Sequence, residues 1–231
     1  MFAIKIDDNI ISPISEYKFK NSKNYKIYFY FREEDNISLA NMFENITSLI
    51  DFSFNSKYIY NNIINMESMF LGCTSLKSIK LSYFNSSNIE YMDKLFYNCS
   101  SLINIEISDL NTEKLVNISS MFYNCYSLSS LNINNFNTTN VIDMSFMFYN
   151  CNSLKFLEIH SFDTQKVINM EHIFYGCSTL TSLDITNFNM QNVININSMF
   201  SGCVSLKSML FQILIHKILF ICKKYFFVVM H

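Results

Sequence analysis

Apolar residues recur along most of this chain in columns. From Met121 to Phe146 it reads Met-Phe-Tyr-Asn-Cys-Tyr-Ser-Leu-Ser-Ser-Leu-Asn-Ile-Asn-Asn-Phe-Asn-Thr-Thr-Asn-Val-Ile-Asp-Met-Ser-Phe, and the same order returns 26 residues later. Cysteines stand at Cys73, Cys99, Cys125, Cys151, Cys177 and Cys203, and phenylalanines three places upstream at Phe70, Phe96, Phe122, Phe148, Phe174 and Phe200. The leucine three places after each cysteine keeps the beat: Leu76, Leu102, Leu128, Leu154, Leu180 and Leu206. A fixed period of this length marks a solenoid, in which each repeat is one coil that buries its apolar edge against its neighbours. A degenerate earlier coil starts at Met42-Phe43; it is 27 residues long, which implies one residue inserted before Ile63.

Each stretch of the coil predicts an element. Leu131-Asn132-Ile133 alternates apolar and polar, as a short strand with one buried face does. Strands at the same phase would pair in parallel at about 4.8 Å, giving a ribbon along one side. Val141, Met144 and Met147-Phe148 fall at the spacing of a short helical turn packed inward. Thr138 and Asp163 stand where N-caps would. The place before each cysteine holds Gly72, Asn98, Asn124, Asn150, Gly176 or Gly202, residues that tolerate left-handed backbone and so read as the stop of each helical turn.

The ends depart from the repeat. In residues 1–35, Tyr17–Lys20 and Tyr25–Phe31 alternate around the turn-like Asn21-Ser22-Lys23-Asn24, which predicts a β-hairpin. Met1–Ile6 is a candidate third strand, and the whole would cap the solenoid of residues 36–209. Residues 210–231 are apolar but irregular. They are expected to be the end of a truncated or misread array, with a capping helix and a membrane-associated tail as alternatives. Lys217, Lys223 and Lys224 interrupt the run of about 20 apolar residues that a membrane span needs.

Composition narrows the function. Half the residues are hydrophobic and 16% are charged, with three Gly and one Pro, which excludes a disordered chain. The net charge of −2, with no Lys/Arg cluster in the repeats, lacks the electrostatic footprint of a nucleic-acid binder. Met1–Asp8 has no run of 7–15 apolar residues behind a positive start, so it does not read as a signal peptide. The compartment is therefore left open.

The candidate chemistry is that of a surface. Cysteines 26 apart have no zinc-ligand spacing, and His160, His172, His216 and His231 do not cluster with them. The cysteines and phenylalanines read as a structural ladder, the thiols filling a tight corner and lying too nearly parallel for disulfides. Tyr97, Tyr123, Tyr149 and Tyr175 form a column that is either a recognition stripe or, as favoured here, a cover for the core edge. On the strand, the outward column is Asp51, Lys80, Glu106, Asn132, Glu158 and Asp184, followed after the strand by Ser82, Ser108, Asn134, His160 and Thr186. Glu106, Asn132, Glu158, His160 and Asp184 make a mildly acidic strip that is either a binding ribbon or an ordinary solvated face. No Gly-rich phosphate loop, Gly-x-Ser-x-Gly or His-Glu-x-x-His occurs. The chain thus reads as a non-enzyme without cofactors. Its expected partner is another protein, with self-association as the alternative.

The unit Met-Phe-x-x-Cys-x-Ser-Leu-x-x-Leu-x-Ile-x-x-Phe-Asn-Thr-x-Asn-Val resembles the 26-residue surface-protein repeat of BspA-like and mycoplasma lipoprotein families, a relative of treponemal-type leucine-rich repeats. The resemblance runs from about Leu39 to Ser208. It implies a leucine-rich-repeat-like solenoid, found on cell surfaces and associated with adhesion or protein recognition. It carries over no catalytic residue.

Overall fold

The computed structural model describes residues 3–6, 9–11, 27–30, 36–53, 62–81, 86–107, 109–206 and 208–209. Near the N-terminus, β1 (Ala3–Ile6) lies between β2 (Asn9–Ile11) and β3 (Ile27–Tyr30), antiparallel to both. The expected strand within Met1–Ile6 is β1, and it pairs with β3; the expected hairpin partner of β3, Tyr17–Lys20, lies outside the described residues. The tail 210–231 also lies outside them.

From β4 (Asn36–Ser38) onward the chain winds as a β-solenoid. One strand recurs per coil: β5 (Asp51–Ser53), then β7 (Ser78–Lys80), β8 (Asn104–Glu106), β9 (Ser130–Asn132), β10 (Phe156–Glu158), β11 (Ser182–Leu183) and β12 (Ser208–Met209), with β6 (Asn62–Asn65) beside β4. All these pairs are parallel. The ribbon strand begins one residue earlier than the alternation predicted, at Ser130, and Ile133 follows it fully buried.

The extra residue of the first coil also moves. Ile37 pairs with Ile63 but Ser38 pairs with Asn65, so the insertion is a bulge after Ile63. Ile64, still half-buried, is thereby accommodated without displacing Ile63 from the core.

A second ladder, of single parallel bridges, joins Asn65, Tyr91, Asn117, Asp143, Asn169 and Asn195. At most of these places the side chain holds the bend. Oδ1 of Asn117, Asp143 and Asn169 accepts the N–H two residues on, at 2.8–3.1 Å.

The helical turn is replaced by a run of β-turns, and among the described residues there is no helix. Met147, Tyr149 and Cys151 donate their N–H to the carbonyls of Met144, Phe146 and Phe148, at 3.1–3.4 Å. The intervening N–H groups of Phe146, Phe148 and Asn150 leave the coil and donate to Glu171, Ile173 and Tyr175 of the next, at 2.7–2.9 Å. An α-helix needs every N–H for its own axis. Here half of them serve the solenoid axis, so the apolar spacing mimics a helix without forming one.

Left-handed backbone makes this run possible. The Gly/Asn column has φ of +57 to +81°, as its residue types predicted. The column does not stop a helix; it closes a turn. Side-chain amides link Asn98, Asn124 and Asn150 along the axis at 2.8 and 3.0 Å. The amide ladder ends at Gly176, where an added Cβ would collide with Oδ1 of Asn150. A second left-handed column, Lys94, Ser120, Phe146 and His172, gives no such signal in its residue types.

The core is one elongated stack. Phe43, Phe70, Phe96, Phe122, Phe148, Phe174 and Phe200 stack ring on ring at 5.4–5.8 Å. Thr112, Thr138 and Thr164 form a buried polar column beside the apolar ones. Thr112 Oγ1 donates to the Asn137 carbonyl and accepts the Asn137 N–H; Thr164 does the same with Asn189. Thr138, expected as an N-cap, donates instead to the Asp163 carbonyl of the next coil. Asp163 does cap locally, accepting the Gln165 N–H at 2.8 Å. Each buried hydroxyl is satisfied, so the column costs little and fixes axial register.

Candidate functional site

The parallel ladder sets out the ribbon. In β9 and β10 the central leucines, Leu131 and Leu157, are buried while their neighbours on both sides are exposed. Lys80 pairs in register with Glu106, and Asn132 with Glu158. Glu106, Asn132, Glu158, His160 and Asp184 are all exposed. Asp184 and His160 each follow their strand directly or nearly so, which carries the strip onto the turn. Asp51 does not belong to the outward column assigned to it from the sequence: it pairs with Ser78, and Ser53 stands beside Lys80. Asp51 therefore stands two residues before the column that holds Lys80, at the phase of Ser78.

The charges on this ribbon are not alike. Glu106 is paired with Lys80 at 2.5 Å. Among the described residues Glu158 Oε2 accepts from a neutral donor, Nδ2 of Asn134, at 2.7 Å. Asp184 Oδ1 accepts the Thr186 hydroxyl at 2.7 Å and its N–H at 3.0 Å. Those two bonds, helped by His160, hold the Asp184 carboxyl below its ordinary range, so it stays ionised.

The sequence reading missed Phe156. It lies in the strand column of Ser78, Asn104, Ser130 and Ser182, pairs in register with Ser130 and Ser182, and is 62% exposed. The signal available was its being the one aromatic among small polar residues at that phase.

The tyrosine column occupies another face. Tyr97, Tyr123, Tyr149 and Tyr175 stack nearly parallel at 4.4–4.6 Å. Their ring faces are turned to each other, and all four residues are half-buried. Burial, together with Tyr97 and Tyr149 on either side, pushes the Tyr123 phenol up to about 12. Phe146 and His172 stack at 4.9 Å alongside.

The cysteine column faces inward. Cys73, Cys99, Cys125, Cys151 and Cys177 are free and buried, and Cys203 is half-buried. Every thiol donates to the carbonyl of the column phenylalanine in the preceding coil, at 3.0–3.2 Å. Burial pushes Cys73 and Cys203 up to about 11 and the others higher still, which makes them poor nucleophiles and metal ligands. Among the described residues no three His, Cys, Asp or Glu side chains come together as a metal site.

A family model described as "Mycoplasma protein of unknown function, DUF285" matches residues 37–155 and 127–218. No curated protein matches the chain. Among solved structures the chain is similar to the leucine-rich repeat protein of T. pallidum, at 20% identity. That likeness covers 79% of this chain and 74% of the other, with a TM-score of 0.47.

Proposed function

The chain belongs to the family described as "Mycoplasma protein of unknown function, DUF285", and on that premise we propose that it is a non-catalytic recognition solenoid. Its strand-side ribbon binds a partner protein, in adhesion or recognition of the surface-repeat kind. The observation that carries this reading is the contrast between frame and ribbon. From coil to coil the buried columns repeat Phe, Cys and Leu, while the exposed ribbon runs Lys80, Glu106, Asn132, Glu158, Asp184. A rigid repeated frame that presents unlike side chains at about 4.8 Å intervals is how solenoids build extended contact surfaces.

Reversing charge at Glu158→Lys and Asp184→Lys together tests it. Both side chains are exposed, so the melting temperature is expected to stay within about 2 °C of the wild type. Retention of partner protein from extract of the source cells is expected to fall at least tenfold. Equal retention by the two forms, with equal melting, would remove this face from the function.

A further inference from the structure

Phe156 stands in a strand column whose other members, Ser78, Asn104, Ser130 and Ser182, are small and polar. Its ladder partners are Ser130 and Ser182, so its ring rises above the ribbon with no side chain of its own size beside it in register. It lies in mid-array, with β9 on one side and β11 on the other, so its 62% exposure is not an effect of the solenoid's end. An exposed aromatic surrounded by polar groups has the make-up of an interface anchor.

Its neighbours supply the sign of the partner. Glu158 is on the same outward face two residues along, and Asp184 stands at the matching place of the next coil, one step past the Leu157–Leu183 pair. Among the described residues neither has a Lys or Arg ion partner; each accepts only from neutral groups of Asn134 or Thr186. Lys155, on the other side of Phe156, is exposed and adds one positive charge at the patch margin. His160 lies near Asp184.

We infer that Phe156, Glu158 and Asp184 form a docking site for a basic segment of the partner protein, with an arginine as its central contact. A guanidinium is planar and weakly hydrated. It lies against an aromatic face while its N–H fork reaches carboxylates, which a compact ammonium does less well. This inference rests on the ribbon being the contact surface and names the chemistry of what it contacts.

The test uses the full chain and three labelled twelve-residue peptides of Gly and Ser carrying three Arg, three Lys or three Glu. Binding is followed by fluorescence anisotropy at physiological salt. The Arg peptide is expected to bind tightest and the Glu peptide not at all. Phe156→Ser, which restores the residue of the neighbouring coils, is expected to weaken the Arg peptide at least tenfold with no change in melting temperature. Phe156→Trp is expected to keep or improve it. Phe156→Ser leaves net charge untouched, so Arg-peptide binding that this variant does not weaken is general electrostatic attraction and overturns the inference. A Glu peptide bound as well as the Arg peptide overturns it too. If basic peptides fail while the Glu158→Lys, Asp184→Lys form still loses the cellular partner, the ribbon reading stands and the basic partner falls. If that form keeps the cellular partner, both fall.

Discussion

Phe148→Ala is expected to lower the free energy of unfolding by about 3–5 kcal/mol, the range for removing a large buried aromatic. The ring is fully buried and stacked between Phe122 and Phe174 at 5.7 Å on both sides. The cost depends on whether the surroundings can close over the gap. They cannot close here without breaking the axial bonds, because the Phe148 N–H is fixed to Ile173 and its carbonyl receives both the Cys151 N–H and the Cys177 thiol. The loss should therefore fall toward the upper end of the range. In a one-dimensional array, weakening a central coil also loosens the coupling between the two halves. Urea denaturation followed by circular dichroism measures this, with a broader transition accompanying the lower midpoint. A change below about 1 kcal/mol would mean that the phenylalanine column is not the core.

Raising the pH above about 9 is expected to unfold the protein, and the thiol column is the cause. Buried thiols hold their protons far above the ordinary 9.0, chiefly because burial penalises the thiolate; for Cys125 the neighbouring Cys151 and Cys99 add to this. The stability these groups contribute is complete below the unfolded value, where thiols are protonated in both states. As pH rises past about 9 the unfolded chain releases protons that the folded chain retains, so the balance tilts toward unfolding. Each such thiol removes about 1.4 kcal/mol per pH unit until its folded value is reached. The window opens at 9.0 and extends to about 11 for Cys73 and Cys203, and beyond that for the four between them. Several thiols titrating together would exhaust a typical domain stability of roughly 5–15 kcal/mol within one to two pH units. Tyr123, raised to about 12, adds in the same direction. A Cys99→Ser, Cys125→Ser, Cys151→Ser form keeps a donor at each place but does not ionise, and its alkaline midpoint should move up by at least half a pH unit. Superimposed pH curves for the two forms would show that thiol ionisation is not what limits stability.

The period made the solenoid legible, because a buried column cannot tolerate a change of phase. Gly72, Asn98 and their equivalents announced left-handed backbone through their residue types. Phe146 and His172, equally left-handed, did not, since only tertiary context holds such side chains there. Val141, Met144 and Met147 point inward at helical spacing although the intervening N–H groups serve the next coil; spacing reports which side chains are inside, not where backbone bonds go. Thr112 and Thr164 were illegible as core because their partners are backbone groups 25 residues away. The acidic strip could be read from the alternation within each strand. Its anchor could not, because a single Phe in a serine column looks like drift until its exposure is known.

The face that binds is the claim on which the functional account depends, and site-specific photocrosslinking tests it most directly. A photoreactive residue would be placed at Asn132, exposed on the ribbon, or at Ile142, 42% exposed in the coil away from the ribbon strand. Each form would be irradiated in extract of the source cells. The account predicts a discrete crosslinked partner from position 132 that is lost when Glu158→Lys and Asp184→Lys are added, and none from position 142. A partner captured from 142 and not from 132 would contradict it.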